Sequence, residues 1–124
     1  MRKNLKTSIK GIGVDIVRID RFDIDKSHFI QRVLSDEELE VFYSLSSSHR
    51  KKEFLAGRFA AKEAFLKASL KGIGEIPFKS ISVLNDVNGA PYLNFDNAFV
   101  SISHEEEYAI AFVVLQEDEA IDYQ

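Results

Sequence analysis

The chain has 124 residues, 45% of them hydrophobic, and this size predicts one domain with a single core. It has no cysteine, which excludes disulfides and thiolate metal sites, and its longest apolar run (109–115) is too short to cross a bilayer, so we expect a cytoplasmic protein without membrane contact. The formal net charge of −4 argues against nucleic-acid binding through a general excess of basic residues.

The N-terminal part predicts a strand and two short helices. Residues 8–19, SIKGIGVDIVRI, place apolar side chains on both alternating faces, which is typical of a strand covered on both sides. Asp15 lies inside this strand. Residues 27–45, SHFIQRVLSDEELEVFYSL, indicate two helices, and Ser35 with Glu38 three positions later is typical of a capping box opening the second one.

A longer helix is predicted from about Ser48 to Leu70, before Gly72, Gly74 and Pro77. Two β-hairpins follow, the first around an Asn-Gly turn and the second joined through HEEE. Their strand-like runs are FKSISVL (78–84), PYLNF (91–95), AFVSIS (98–103) and YAIAFVVL (108–115). This order predicts a single α+β domain over residues 1–124, with an antiparallel sheet packed around the long helix, an N-terminal extension (1–8) and a C-terminal tail (116–124).

The long helix contains FLAGRFAAKEAFLKA, residues 54–68, in which two apolar stripes require burial. At about 100° per residue, one stripe holds small residues and would let another backbone come close: Gly57, Ala61, Ala64 and Ala68. The other stripe holds larger residues and is expected to fit against a sheet: Leu55, Phe59 and Leu66.

Four charged side chains lie between these stripes, Arg58 and Lys62 on one side, Glu63 and Lys67 on the other. The simplest interpretation is a surface Glu63–Lys67 pair that contributes a few tenths of a kcal/mol, about the usual value for such pairs. Asp15 favours another interpretation, because a carboxylate in an apolar strand is costly unless it is paired or bound to a cation. If the strand packs on the helix, Asp15 and Glu63 could converge and repel unless a proton or metal lies between them. Two oxygen ligands without cysteine suit Mg²⁺, which completes its shell with water and substrate phosphates.

Further residues fit a phosphate bound at such a metal. Lys67 would supply a cation, and the glycines of KGIG (71–74) would allow close backbone approach, although an ordinary helix cap is the alternative for them. GIG at 11–13 lacks the remaining residues of a nucleotide-binding loop, which excludes that interpretation. His104, taken alone, is more typical of a turn histidine than of a catalytic one.

Four segments resemble bacterial holo-acyl-carrier-protein synthases, the short one-domain 4′-phosphopantetheinyl transferases. They occur in the family's order as GIGVDIVRIDRF (11–22), FLAGRFAAKEAFLKA (54–68), NGAPY (88–92) and SISHEEEYAIAFVV (101–114). The resemblance implies this family's fold and the Mg²⁺-dependent transfer of the 4′-phosphopantetheine arm of coenzyme A to a serine of apo acyl carrier protein, with release of adenosine 3′,5′-bisphosphate. It also implies a role in fatty acid biosynthesis and a homotrimer with sites between neighbouring subunits.

The same resemblance assigns the site residues. It implies Mg²⁺ on Asp15 and Glu63, with Glu63 as the candidate base and Lys67 as the second catalytic residue, stabilising charge on the phosphate. Coenzyme A binding is assigned to Arg58, Lys67, Gly72, Gly74, Ser103 and His104, and carrier-protein docking to Arg21 and Arg32. The chain departs from the family where Leu70 and Lys71 replace the first two residues of Gly-Thr-Gly, and where His28 replaces a frequent arginine.

Two alternatives remain open from the sequence. One is another Mg²⁺-dependent enzyme acting on a nucleotide or pyrophosphate, which needs only the metal and phosphate features. The other is a non-catalytic binding module in which Asp15 and Glu63 pair with Arg58 or Lys62.

Overall fold

The computed structural model describes residues 8–69 and 76–117. Its helices are α1 (Ser27–Val33), α2 (Asp36–Ser44) and α3 (Ser48–Ser69), and its strands are β1 (Ile9–Arg18), β2 (Val83–Asn85), β3 (Pro91–Leu93), β4 (Ala98–His104) and β5 (Tyr108–Gln116). Short 3₁₀ turns cover Ile19–Arg21 and Phe78–Ser80. This confirms the predicted α+β class and the order of its elements. In the part of the chain that the structure describes, no helix is long and apolar enough to span a membrane.

The strands form two antiparallel sheets. The larger sheet has the order β1-β5-β4, with Asp15 opposite Ala111, and β2 pairs with β3 in a separate two-stranded sheet. Both hairpin pairings are therefore confirmed, but the strand predicted over 78–84 is wrong at its start, because Phe78–Ser80 forms a 3₁₀ turn and β2 is Val83–Asn85. Gln116 pairs with Ile9 at the end of β5, so the first residue of the predicted C-terminal tail belongs to the sheet.

The larger sheet packs on α3 through small residues on both sides. A Cβ on Gly13 would lie 2.0 Å from the Ala64 carbonyl oxygen, and one on Gly11 would lie 1.9 Å from the Ala68 carbonyl oxygen. Only glycine fits at such a close approach of two backbones. The small-residue stripe of α3 is therefore the one that meets the sheet.

The expectation that the larger stripe of α3 fits against a sheet is wrong at Phe59. Its ring packs against three phenylalanines outside the larger sheet, with centroid distances of 5.3 Å to Phe22, 6.2 Å to Phe29 and 5.6 Å to Phe78. The physical reason is that the small-residue stripe faces the sheet, so Phe59, on the stripe about 160° away around α3, faces α1 and the Phe78–Ser80 turn instead.

The other side of the larger sheet, which we call the outer face, is apolar and exposed in a single chain. Its residues are Ile12, Val14, Ile16, Phe99, Ile110 and Phe112. Ile16 is 58% exposed and Phe112 44%. The prediction that β1 is covered on both sides is therefore wrong within one chain, where only its inner side packs on α3.

A buried ion pair connects α2 to α3. The capping box is present, since Glu38 accepts from the Ser35 backbone N–H at 2.8 Å while the Ser35 hydroxyl accepts from the Glu38 N–H. The same carboxylate binds Lys62 Nζ at 2.6 Å and the Val83 N–H at 2.6 Å. From the sequence, Glu38 was predicted only as a capping residue and Lys62 as one of four charged side chains between the stripes of α3, whereas both side chains are fully buried.

Candidate active site

Asp15 and Lys67 meet where β1 packs on α3. Asp15 is on the inner side of β1, the same side as Gly13 and Val17. Lys67 Nζ donates to Asp15 Oδ1 at 3.3 Å and to the Val14 carbonyl oxygen at 2.9 Å. The simple surface Glu63–Lys67 pair is therefore not the arrangement found, because the packing of β1 brings a second carboxylate to the lysine.

Glu63 lies one turn before Lys67 on α3 and is half-buried. Partial burial raises the pKa of Glu63 above its ordinary value, and the negative charge of Asp15 raises it further. The positive charges of Lys67 and Arg21 oppose this increase in pKa. The sequence-based expectation that Asp15 and Glu63 converge is consistent with this repulsion between them.

These two carboxylates fit the requirements of Mg²⁺. Each offers hard oxygen donors, and because Asp15 raises the pKa of Glu63, a cation between them would be stabilised by both. Within residues 8–69 and 76–117 no cluster of three or more histidine or acidic side chains could hold a metal. Two protein ligands leave positions for water and phosphate oxygens, which is the usual composition of a magnesium site on a phosphate substrate.

A second feature is a cavity of about 190 Å³ between α3, β4 and the β2–β3 hairpin, which we call the anion cavity. Its lining contains three basic side chains, two of which, Arg58 and His104, were predicted to bind coenzyme A. The complete lining is Arg50, Glu53, Phe54, Gly57, Arg58, Asn85, Gly89, Pro91, Ile102 and His104.

Arg58 is held rigidly in the anion cavity. Its Nε donates to the Val83 carbonyl oxygen at 3.2 Å and its terminal nitrogen to Asn85 Oδ1 at 2.7 Å. The guanidinium carbon lies 4.1 Å from the centre of the Phe54 ring, a cation–π contact. Burial lowers the pKa of Arg58 to about 10, although the Glu38 charge opposes this, so the group remains cationic near neutral pH.

Glu53 is the acidic member of the anion cavity, and its side chain is only 14% exposed. Its carboxylate oxygens lie 3.0 Å from His49 Nε2, 3.5 Å from His104 Nδ1 and 3.9 Å from Arg50 Nε. Arg50 and Glu53 were not among the residues predicted from the sequence. Glu53 lies about one helical turn before Gly57, and Arg50 about two turns before Arg58, and this spacing is the signal that could have found them.

Ser103 is separated from the anion cavity. Side chains alternate along a strand, and Ile102 and His104 line the cavity, so Ser103 lies on the opposite side of β4. There it is opposite Ile110 of the outer face. Gly72 and Gly74, like the departures at Leu70 and Lys71, lie outside the described residues.

The two residues predicted to dock the carrier protein occupy different elements. The Arg21 guanidinium carbon lies 5.2 Å from the Phe22 ring centre and 5.4 Å from that of Phe59, at the rim of a groove of about 260 Å³. Its charge also acts on Glu63. Arg32 is exposed in the last turn of α1, and His28 is exposed in the first turn.

The pairing required by the binding-module alternative is contradicted. Lys62 binds Glu38, and Arg58 binds Asn85 and the Val83 carbonyl. No ion pair joins either cation to Asp15 or Glu63 in the described ranges, 8–69 and 76–117. Lys67 pairs with Asp15 of β1 instead, and its charge acts on Glu63, one turn earlier on α3.

Comparison with known proteins agrees with this architecture. The family model described as the 4′-phosphopantetheinyl transferase superfamily matches residues 11–113. The holo-[acyl-carrier-protein] synthase of Enterococcus faecalis is 48% identical over 117 residues, which are 89% of this chain and 99% of the relative. That of Staphylococcus haemolyticus is 44% identical over 115 residues, covering 87% of this chain and 97% of the relative.

Among solved structures, a crystal structure of holo-(acyl-carrier-protein) synthase from Bacillus anthracis, in complex with CoA (3′,5′-ADP), has a TM-score of 0.82. It is 42% identical, and the match covers 91% of this chain and 100% of that one. Because the family model spans most of the chain and these relatives match over nearly their whole length, the chain belongs to the holo-acyl-carrier-protein synthases of the 4′-phosphopantetheinyl transferase superfamily.

Proposed function

We propose that this protein transfers the 4′-phosphopantetheine arm of coenzyme A to a serine of apo acyl carrier protein, in the cytoplasm and in the service of fatty acid biosynthesis. The observation that carries the proposal is the meeting of Asp15 with Lys67 beside Glu63, at the junction of β1 and α3. Support also comes from the B. anthracis relative, which was crystallised with CoA (3′,5′-ADP).

Asp15 and Glu63 would hold Mg²⁺, which when bound neutralises the pyrophosphate and orients it for displacement. The serine oxygen forms a bond to the phosphorus that carries pantetheine, and the bond from that phosphorus to the bridging oxygen breaks, releasing adenosine 3′,5′-bisphosphate. Glu63 is the candidate acceptor of the serine proton, directly or through a water, because its half-buried carboxylate lies one helical turn before Lys67.

Lys67 is placed to stabilise the leaving phosphate. The Val14 carbonyl and Asp15 orient its ammonium group, which has a third N–H available for a phosphate oxygen. Because the contact with the strand backbone is made before substrate arrives, little reorganisation is needed during the reaction.

The anion cavity is the proposed site for another phosphate of coenzyme A. Arg58 and His104 supply cationic and hydrogen-bonding groups on a rigid wall, and Arg50 adds a third basic side chain. Within the cavity, the Glu53 carboxylate lies near His104 and Arg50, so an incoming phosphate would compete with this carboxylate for the same donors.

We further propose a homotrimer in which the outer face is covered by neighbouring subunits. A contiguous patch of large apolar side chains is a typical protein–protein contact, and Ser103 lies on the same side of the sheet. This would bring Ser103 to a site shared between subunits. Light scattering is expected to give three times the mass of one chain, and Phe112→Glu should dissociate the assembly with loss of transfer.

Incubation with coenzyme A, Mg²⁺ and apo acyl carrier protein tests the activity, with mass spectrometry of the carrier as the readout. Transfer adds the pantetheine arm to the carrier. Hydrolysis of coenzyme A without a carrier would instead identify a pyrophosphate hydrolase. If neither reaction occurred, the result would favour a binding module. Lys67→Met should abolish transfer, whereas Lys51→Met, which removes a lysine stacked on Phe42 and Tyr43 of α2, should not.

A further inference from the structure

Helix α1 is too short to be stable by itself. It has seven residues, and isolated helices shorter than about 12–15 residues are marginal in water. It nevertheless presents exposed Arg32, which is proposed to dock the carrier protein, and buries Ile30 and Val33. The orientation of its exposed side therefore depends on contacts from the rest of the protein.

Lys62 provides one such contact from α3. Its ammonium group has three hydrogen bonds, to the Val33 carbonyl at 2.6 Å, to Glu38 Oε1 at 2.6 Å and to the Phe78 carbonyl at 3.0 Å. All three N–H groups are thus used inside the protein. Through the Val33 carbonyl, the last residue of α1 is therefore hydrogen-bonded to Lys62 of α3, which immediately precedes Glu63.

Lys79 provides a second contact from the Phe78–Ser80 turn. Its ammonium group donates to the Gln31 carbonyl at 3.1 Å and the Leu34 carbonyl at 3.2 Å, and it lies 3.3 Å from Asp36 Oδ1. The last carbonyls of a helix have no partner within the helix, and a cation there also interacts favourably with the helix dipole. Two lysines distant in sequence therefore bind the C-terminal end of the same short helix.

We propose that Lys62 and Lys79 are positioning residues for carrier docking, which hold α1 at a fixed distance and orientation from Glu63. This rests on the proposed function, in which α1 meets the carrier while Glu63 acts on its serine. A serine carried by a docked protein reaches the phosphorus only if the docking surface and the reacting groups keep their relative position. The lysines act on the carrier through α1 and do not touch it.

Lys79→Met is the decisive variant, because the Lys79 side chain is 45% exposed and its loss leaves the core intact. We expect the KM for the carrier to rise about fivefold, while kcat and the KM for coenzyme A stay within about twofold of the parent. Backbone amides of residues 31–34 should exchange with deuterium faster in the variant, because the last turn of α1 loses its cap. The exchange measurement requires no carrier and no activity.

Two control variants separate this role from others. Asp36→Asn removes the ion pair of Lys79 but keeps both carbonyl contacts, so its KM and amide exchange should match the parent. Lys51→Met removes a lysine that stacks on α2 and should leave the carrier KM unchanged. If Lys79 instead contacted the carrier directly, Lys79→Met would raise the carrier KM while the amides of residues 31–34 exchanged at the parent's rate.

The outcomes are distinguishable. Faster exchange of residues 31–34 together with a rise in carrier KM supports the proposal. If the parent transfers the arm and Lys79→Met keeps either the parent's amide exchange at residues 31–34 or the parent's carrier KM, the positioning inference is overturned alone. If the parent transfers no arm to a carrier, the proposed function fails and the docking role of α1 fails with it.

Discussion

Lys62→Met removes the cation of a fully buried ion pair and leaves Glu38 charged in the core. In the parent protein burial lowers the pKa of Lys62, and the charge and hydrogen bond of Glu38 oppose that change. Methionine fills much of the same volume but donates no hydrogen bond to Glu38, to the Val33 carbonyl or to the Phe78 carbonyl. The Ser35 and Val83 N–H groups still bind the carboxylate, so part of its stabilisation remains.

Breaking a buried pair by removing one partner costs about 3–5 kcal/mol. That is a large fraction of the roughly 5–15 kcal/mol that stabilises a typical domain. For a chain of this size about 1 kcal/mol corresponds to roughly 3–5 °C, so the melting temperature should fall by roughly 10–20 °C. Circular dichroism melts and urea titrations measure this change directly.

A double-mutant cycle identifies the cause of the loss. Glu38→Gln in the Lys62→Met background removes the stranded charge, so the double variant should be less destabilised than the sum of the two single variants. Lys67→Met is the matched control, because its side chain is mostly exposed and it should lose activity with little change in melting temperature. A Lys62→Met protein that melts within about 2 °C of the parent would refute the reasoning, since one buried-pair partner could then be lost without the expected cost.

Four further predictions concern the site and the sheet. Asp15→Asn and Glu63→Gln should each lower kcat by about 100-fold or more in the transfer assay while the fold survives. Because the pKa of Glu63 is raised in the folded protein, ionisation of this carboxyl group opposes folding. Glu63→Gln should therefore raise the melting temperature of the metal-free protein at neutral pH, and this gain should disappear below the ordinary pKa of 4.5. A gain in melting temperature at low pH alone would contradict the direction of the pKa shift. Arg21→Glu should raise the KM for the carrier far more than that for coenzyme A, and equal effects in a two-substrate kinetic analysis would count against docking at Arg21. Gly13→Ala should destabilise the protein by about 1–3 kcal/mol in urea titrations, since its Cβ would meet the Ala64 carbonyl at 2.0 Å, and an unchanged midpoint would show that β1 can move away from α3.

The sequence by itself determined the features that depend on neighbours along the chain. The Ser35–Glu38 capping box, the hairpin turns and the long helix follow from residues within a few positions of each other, and the structure confirms them. The small-residue stripe of α3 also predicted a close backbone contact, which Gly11 and Gly13 of β1 provide. Asp15 was predicted as a site residue from the sequence, because a carboxylate in an apolar strand requires a partner in any fold.

Only the tertiary structure decided which distant groups meet. Lys62 and Glu38 are 24 positions apart, and nothing in the local pattern of either segment distinguishes a buried cation from a solvated one. The anion cavity likewise depends on β4 bringing His104 to Glu53 of α3. The sequence predicted that the outer face of β1 is buried, because apolar residues occur on both sides of this strand. The pattern does not indicate whether the same chain covers both sides. Periodicity reports the preference of each side chain for burial, whereas the partner that satisfies it is set by how the elements pack in three dimensions.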